Sequence, residues 1–337
     1  MRALKVLVTG AGGYIGSIST YELLKKGFRV VVIDNFTTGY KEPLEILQKK
    51  FGKRKLWFYK LDLRSPLDSF FRKEKRIDVV IHYASSCRVD ESMSDPQKYF
   101  SNNVFSTNNL LMAMKKYNVN KIIFSSSCTV YGKTDYVPVD EKHPTNPINP
   151  YGESKKMSED IIKWYGRLLD LDYVILRYFN VCGASDDGKF GDSKKPSTLL
   201  VQNAVRGALG IEPFYLTCPI VDTKDKTPIS DYVNVVDLAS AHIKALKYLI
   251  GGGKSEIINL GSGNGSSVLE IVKEVQKVTN KTFDIKKTKT RKGENAIMLA
   301  DIKEAKRILK WKPERSIKDS IESLDVWYKN NPQGWKY

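Results

Sequence analysis

Three glycines, at positions 10, 13 and 16, constrain this chain more than any other feature. They lie in Gly10-Ala11-Gly12-Gly13-Tyr14-Ile15-Gly16, after the β-branched run Val6-Leu7-Val8-Thr9 and before an amphipathic stretch, Tyr14 to Lys26, that Gly27 stops. Gly10 permits a tight turn, Gly13 lets backbone approach a pyrophosphate, and Gly16 lets the helix pack closely on the strand. The helix N-terminus, here Tyr14 and Ile15, then offers free N–H groups to phosphate oxygens. The next strand, Val30-Val31-Val32-Ile33, ends at Asp34 with Asn35 beside it. An acid about 20 residues beyond the glycines is placed to accept hydrogen bonds from an adenosine ribose. A carboxylate there repels a 2′-phosphate, so the pattern favours NAD over NADP.

The alternation continues. Leu56 to Lys60, Val79 to His82, Ile122 to Ser125 and Val174 to Arg177 read as strands, and Pro96–Lys116 and Tyr151–Leu169 as long helices. Strands alternating with helices imply an α/β fold, a Rossmann-like doubly wound parallel sheet covered on both faces. Ligands bind such sheets at the carboxyl ends of the strands. Gly10, Asp34, His82 to Ser86, Ser125 to Ser127 and Asn180 all fall there. Asp62, after the third strand, is placed either for the adenine or as a helix cap before Ser65-Pro66. Beyond Gly183 the pattern breaks. Asp186–Pro196 reads as a loop and Gly210–Lys226 as irregular, while Leu269–Val278 and Ile302–Leu309 read as helices. We expect a cofactor domain over 1–180, with a return segment near 231–260, and a smaller mixed α/β substrate domain over 181–337.

Composition excludes several classes. No apolar run in the 337 residues approaches the ~20 that a membrane helix needs. The opening Met1 to Gly10 runs straight into the glycine turn without cleavage-site character, so it reads as a strand, and a cytoplasmic protein is expected. Four cysteines without a C-x-x-C pair, and three histidines, give no metal pattern. The net charge of +17 comes from lysines interleaved with acids, with no nucleic-acid motif beside them. Such an excess helps to collect a diphosphate substrate.

Tyr151 and Lys155 are spaced i, i+4 and share a helix face that Pro147 and Pro150 start sharply. For the phenol to serve as a base near neutrality, its pKa must fall by ~3 units. Lys155 and a positive nicotinamide are the expected source of that field. Ser127 can hydrogen-bond a substrate oxygen and pass the proton on.

The glycine turn, Ser125-Ser126-Ser127-Cys128-Thr129-Val130-Tyr131-Gly132, Pro150-Tyr151-Gly152-Glu153-Ser154-Lys155, Arg177-Tyr178-Phe179-Asn180-Val181 and Asn259-Leu260-Gly261-Ser262-Gly263 together resemble the extended short-chain dehydrogenase/reductase family. The likeness is strongest to its members that invert C4 of a UDP-hexose. It implies a tightly held NAD, a 4-keto sugar that turns over in the site, and a homodimer built on the two long helices. It adds Leu63, Tyr83, Ala84, Asn103 and Tyr178 to the cofactor contacts. Thr129, Phe179, Asn180, Leu199, Arg291 and Glu294 fall where the family holds sugar and UDP. Met298 falls at the residue that gates N-acetylated sugars, and its slim, flexible side chain leaves room for them.

Four positions depart from that family. Cys87 stands where a lysine is expected near the nicotinamide ribose, and Ser230 replaces a second diphosphate arginine. Ser197-Thr198 replaces an asparagine pair. Lys224, Lys226 and Arg88 are candidates to restore the charge. Competing readings are a nucleotide-sugar dehydratase or decarboxylase and a non-catalytic NAD sensor. Cys128-Thr129 stands where a dehydratase is expected to carry Asp-Glu.

Overall fold

The computed structural model describes residues 3–288 and 295–335. The strands are β1 (Lys5–Thr9), β2 (Arg29–Asp34), β3 (Leu56–Lys60), β4 (Val79–His82), β5 (Lys121–Ser127), β6 (Asp172–Tyr178), β7 (Asn180–Cys182), β8 (Phe214–Leu216), β9 (Ile229–Asn234), β10 (Glu256–Leu260), β11 (Gly265–Ser267), β12 (Ile285–Lys287) and β13 (Ile297–Met298). Seven form one sheet in the order β10-β6-β5-β4-β1-β2-β3, every neighbouring pair parallel. Leu7, Val8, Val80, Ile81, Ile122 and Ile123 are sealed from solvent. Side chains alternate across a strand, so these runs are buried on both faces, as helix-covered parallel strands must be.

Strand order reverses between β1 and β4. From β1 the chain winds outward to β2 and β3, then returns to lay β4 on the other side of β1. The crevice at that switch point is where this architecture binds ligands. The glycine turn leaves β1 into it, and the Tyr83–Arg88 loop leaves β4 into it from the other side.

The helix Pro150–Leu168 starts where Asn149 accepts a hydrogen bond from Gly152 N at 2.8 Å, with Pro150 in the first turn. A capping side chain and a first-turn proline fix the start of a helix. This cap was not read from the sequence. The stretch expected as one helix from Pro96 to Lys116 contains a π-helical segment, Phe100–Phe105. It turns Asn103 inward to 2% exposure.

A second layer lies over the carboxyl edge of the sheet. There β9 pairs in parallel with β7 and β13 and antiparallel with β11. The region read as irregular, Gly210–Lys226, contributes the strand β8, paired with β12. Two Gly-distant strands of three residues leave little periodicity to read. The helix Val235–Ile250 packs on Tyr14–Lys25, and β10 then joins the main sheet beside β6.

Candidate active site

A cavity of about 1250 Å³ runs along the carboxyl ends of the strands. Gly10, Gly13, Tyr14, Ile15 and Gly16 line it from β1, Asp34 and Asn35 from β2, Asp62 and Leu63 from β3, and Tyr83 and Ala84 from β4. Ser125, Ser127, Thr129, Tyr151, Tyr178, Phe179, Asn180, Leu199 and Met298 line the other wall. Arg291 and Glu294 lie outside the described residues.

At the cofactor end the backbone leaves no room for side chains. Gly10 has φ +77°, and a Cβ there would meet Ala84 N at 2.6 Å. A Cβ on Gly16 would meet Gly10 O at 2.3 Å. The helix that follows has no side-chain cap at Gly13, so its first N–H groups face the crevice unshielded by a capping side chain. Asp34 is buried and accepts from Gly12 N at 2.8 Å and Phe36 N at 2.7 Å. Burial raises its pKa, and the two N–H groups pull it back. This bare N-terminus and the buried acid at the end of β2 fit a dinucleotide. Asp62 is more committed. It takes Arg64 through both oxygens, at 2.9 and 2.7 Å, and Asn35 Nδ2 at 3.0 Å. Those bonds, Arg64 first, hold its carboxyl well below the usual range.

Strand alternation divides the three serines that end β5. Ser126 turns to Glu159 and hydrogen-bonds its carboxylate, while Ser125 and Ser127 serve the opposite side. Ser127 Oγ accepts from Thr129 N at 3.2 Å and Thr129 Oγ1 at 3.0 Å. Its acceptor capacity is thereby filled, and its own O–H is the group left to give. That hydroxyl acts on the Tyr151 phenol, pulling its pKa down.

Tyr151, Lys155 and Glu159 form one stripe of their helix at i, i+4, i+8. Lys155 does not line the cavity. It sits behind it at 2% exposure, donating to Ser125 O at 2.8 Å and Ser85 Oγ at 3.0 Å. Its ammonium is 6.0 Å from the centre of the Tyr151 ring. Burial brings the Lys155 pKa down to about 8, and burial pushes the Tyr151 phenol above its ordinary value, with the Ser127 hydrogen bond pulling against it. The field expected from Lys155 and a positive nicotinamide has to work against this burial.

Asn103 also departs from expectation. It is not among the cavity-lining residues. Its Oδ1 accepts from Ser86 N at 2.8 Å, and its Nδ2 donates to Ser86 O at 3.0 Å and Ser154 Oγ at 2.9 Å. Its amide is spent on joining the β4 loop to the helix of Tyr151. The proposed replacement charges fare no better. Lys224 and Lys226 lie outside the cavity wall, and Arg88, on the wall, is held by Asp90 at 2.8 Å. Residues that sequence reasoning missed include Glu159, Asn149, Tyr40 and Lys194. Glu159 carried one legible signal, its place on the Tyr151–Lys155 stripe.

Among the described residues no helix is long and apolar enough to cross a membrane, and no cluster of three His, Cys, Asp or Glu is placed to hold a metal ion.

The chain matches a family model described as GDP-mannose 4,6 dehydratase over residues 7–324. A relative from Lactobacillus helveticus described as UDP-glucose 4-epimerase is 39% identical over 336 residues, covering 99% of each chain. Among solved structures, UDP-glucose 4-epimerase from Bifidobacterium longum in complex with NAD+ and UDP has a TM-score of 0.93 at 36% identity, covering 98% of this chain and 100% of its own. The UDP-Glc/GlcNAc 4-epimerase of Campylobacter jejuni has a TM-score of 0.83 at 34% identity, covering 97% and 100%.

Proposed function

The chain belongs to the extended short-chain dehydrogenase/reductase family and, within it, to the UDP-glucose 4-epimerases, and from that premise we propose how its own residues carry the reaction. It is an NAD-dependent isomerase that inverts C4 of a UDP-hexose through a 4-keto sugar. NAD, when bound, would supply the hydride acceptor and donor for C4.

Tyr151 is the general base for the sugar's 4-hydroxyl. The observation that carries this role is that Tyr151 and Ser127 share the cavity wall, with Ser127's acceptor sites filled by Thr129 so that its own O–H is free to donate. Ser127 stabilises the phenolate and relays the proton. Burial first, with Cys87 and Cys128, opposes ionisation of Tyr151, and the Ser127 hydroxyl favours it; the positive charge of oxidised NAD would add to the lowering. Lys155 fixes Ser125 and Ser85 and keeps a second positive charge behind the ring. Asn103 is a positioning residue. The sugar and UDP are assigned to Phe179, Asn180, Leu199, Met298, Arg291 and Glu294.

The family model's description names a dehydratase, a reaction that eliminates water and needs its own acid and base. At the expected place stand Cys128, whose thiol burial pushes up to about 12, and Thr129, whose hydroxyl is given to Ser127. Neither is a proton donor or acceptor of useful strength near neutrality.

Met298 is our gate for the N-acetylated sugars. It is half-buried on the cavity wall, and a neighbour of the same fold is described as a UDP-Glc/GlcNAc 4-epimerase. We place the cofactor half at 1–180 with 231–260, and the nucleotide-sugar half in the rest of 181–337. A homodimer would cover the long helices, where Phe105 and Met112, and Met157, Trp164 and Leu168, recur at i, i+7 and i+4 spacing and stay exposed. A cytoplasmic location agrees with four free cysteines.

One experiment tests the core of this reading. The purified protein is denatured and the supernatant assayed for NAD, and native protein is given UDP-galactose and assayed for UDP-glucose. Released NAD with product formation is expected. Product without NAD, or NAD without product, would remove the reading.

A further inference from the structure

The segment Gly183 to Ser193 comes after β7, yet it is fastened to the cofactor end of the site by three tyrosines. Tyr14 donates its hydroxyl hydrogen bond to Gly183 O, Tyr21 to Asp187 Oδ2 at 2.9 Å, and Tyr40 to Ser193 O at 2.9 Å. The far end is held as firmly. Trp327 Nε1 donates to Asp192 O at 3.0 Å, and Trp335 N to Ser193 Oγ at 3.1 Å. Lys194 therefore leaves a fixed anchor. Its ammonium crosses to the loop after β4 and donates to Cys87 Sγ at 3.0 Å. Both residues line the cavity. Ser85, two residues before Cys87, is the hydroxyl that takes the Lys155 ammonium.

The charges along the wall leave two candidates. Among the described cavity-lining cations, Arg64 is held by Asp62, Arg88 by Asp90 and Lys98 by Glu91, while Lys133 and Lys194 make no ion pair, and of these two it is Lys194 that follows the anchored segment. The buried Asp192 carboxylate acts on Lys194 through its charge without a direct ion pair, and the acceptor the ammonium reaches is a thiol sulfur, a weak one. An ammonium in that position is open to an anion entering the cavity. The two anions that enter are nucleotide diphosphates, one on the cofactor and one on the substrate. The anchors decide between them. Tyr14 opens the helix of the glycine turn, and Tyr40 N is bonded to Gly12 O at 2.8 Å, so the segment hangs from the cofactor cradle itself.

We propose that Lys194 is a cofactor-binding residue whose ammonium takes the diphosphate of NAD, and that its contact with Cys87 closes the 183–194 segment over the bound cofactor. This rests on the NAD-dependent reading above. It places a positive charge on the wall at Cys87 by a side chain from a different element, and it gives the chain a device for holding NAD through turnover.

The test measures exchange of bound NAD against labelled NAD on the purified holoenzyme, with UDP affinity measured in parallel. Lys194→Ala should exchange NAD roughly 10- to 100-fold faster, the scale of one charge-assisted hydrogen bond, with UDP affinity unchanged. Adding Cys87→Lys to that variant returns an ammonium to the same wall and should restore slow exchange. Wild-type exchange in Lys194→Ala, a loss of UDP affinity with NAD exchange untouched, or no rescue by Cys87→Lys would each overturn the proposal. If Lys194→Ala does not fold, Lys194→Gln keeps the length of the side chain without its charge, and wild-type exchange there overturns it equally. Wild-type protein that releases no NAD on denaturation would instead remove the cofactor reading, and this proposal with it.

Discussion

Glu159 and Arg177 form a two-point ion pair inside the protein, Nε to Oε1 at 3.0 Å and Nη2 to Oε2 at 2.6 Å, with side-chain exposures of 0% and 3%. The pair ties the helix of Tyr151 to β6, and Ser126 adds a tie to β5. Behind it the Arg177 guanidinium lies 4.9 Å from the centre of the Tyr131 ring, and Tyr131 OH donates to Asn259 Oδ1 at 2.6 Å. A buried pair of this kind adds little net stability over apolar packing, but removing one partner strands the other. Its use here is register: two turns along the helix from Tyr151, it fixes the phenol against the end of β5.

Glu159→Gln should therefore destabilise the fold by about 3–5 kcal/mol, the usual cost of leaving a buried charge unpaired. The urea midpoint checks this. Turnover of the folded fraction should fall as well, because the placement of Tyr151 against the end of β5 loses its support. Unchanged stability would mean that Arg177 finds another partner.

Tyr151→Phe separates catalysis from cofactor binding. The ring still packs, but the general base is gone, and such a loss costs ~10²–10⁴-fold in rate. NAD content after purification should stay at the wild-type level, since the phenol is one contact among many along the cavity. Full turnover in the variant would take Tyr151 out of the mechanism.

The parts of this protein legible in its sequence are those encoded locally. The glycine turn, the strands and the Tyr151–Lys155 pair each follow from spacing within a dozen residues. What sequence reasoning missed is set by distance along the chain. Lys194 meets Cys87 across 107 residues, and Tyr40 meets Ser193 across 153. No periodicity marks such pairs. Asn103 was found, but its bonds to Ser86 and Ser154 were not, because its inward turn depends on a π-helical segment that the pattern of Pro96–Lys116 does not announce. The burial of Tyr151 was hidden for a related reason. Charge type is visible in a sequence, whereas burial, the dominant influence here, belongs to the fold.

Two sealed histidines make a pH prediction. His82 lies between Thr9 Oγ1 at 2.6 Å and Thr107 Oγ1 at 3.0 Å, and burial, with the Lys155 charge, brings its pKa down to about 3. His242, bonded to Leu238 O at 2.9 Å, is brought down to about 4 by burial. Unfolded, each titrates near 6.5. Between those values the unfolded chain binds more protons than the folded one, so stability is full above pH 6.5 and falls as the pH drops toward 4. Each histidine contributes up to about 1.4 kcal/mol per pH unit in that window. Burial raises Asp34, Asp192 and Asp231, which acts in the opposite sense, so the comparison is best made between variants. His82→Gln should shallow the slope of unfolding free energy against pH by about one proton, measured in urea at fixed cofactor content. An identical slope would show that His82 takes up its proton in the folded protein.

We propose that Met298 sets the width of the sugar end. It lies on β13, held in register against Ser230 of β9, and both residues are on the cavity wall. A side chain fixed on a paired strand cannot swing aside with a loop, so its volume decides what passes. We expect the wild-type protein to epimerise UDP-N-acetylglucosamine as well as UDP-glucose. Met298→Tyr should cut kcat/KM for the N-acetyl sugar by about 5- to 150-fold, the rate equivalent of ~1–3 kcal/mol of overpacking. UDP-glucose, which lacks the acetamide, should be turned over nearly as before. Equal losses on both sugars would mean that the tyrosine blocks the whole site, and the gate would have to be sought at another wall residue. No turnover of the N-acetyl sugar by the wild-type protein at high concentration would end the assignment outright.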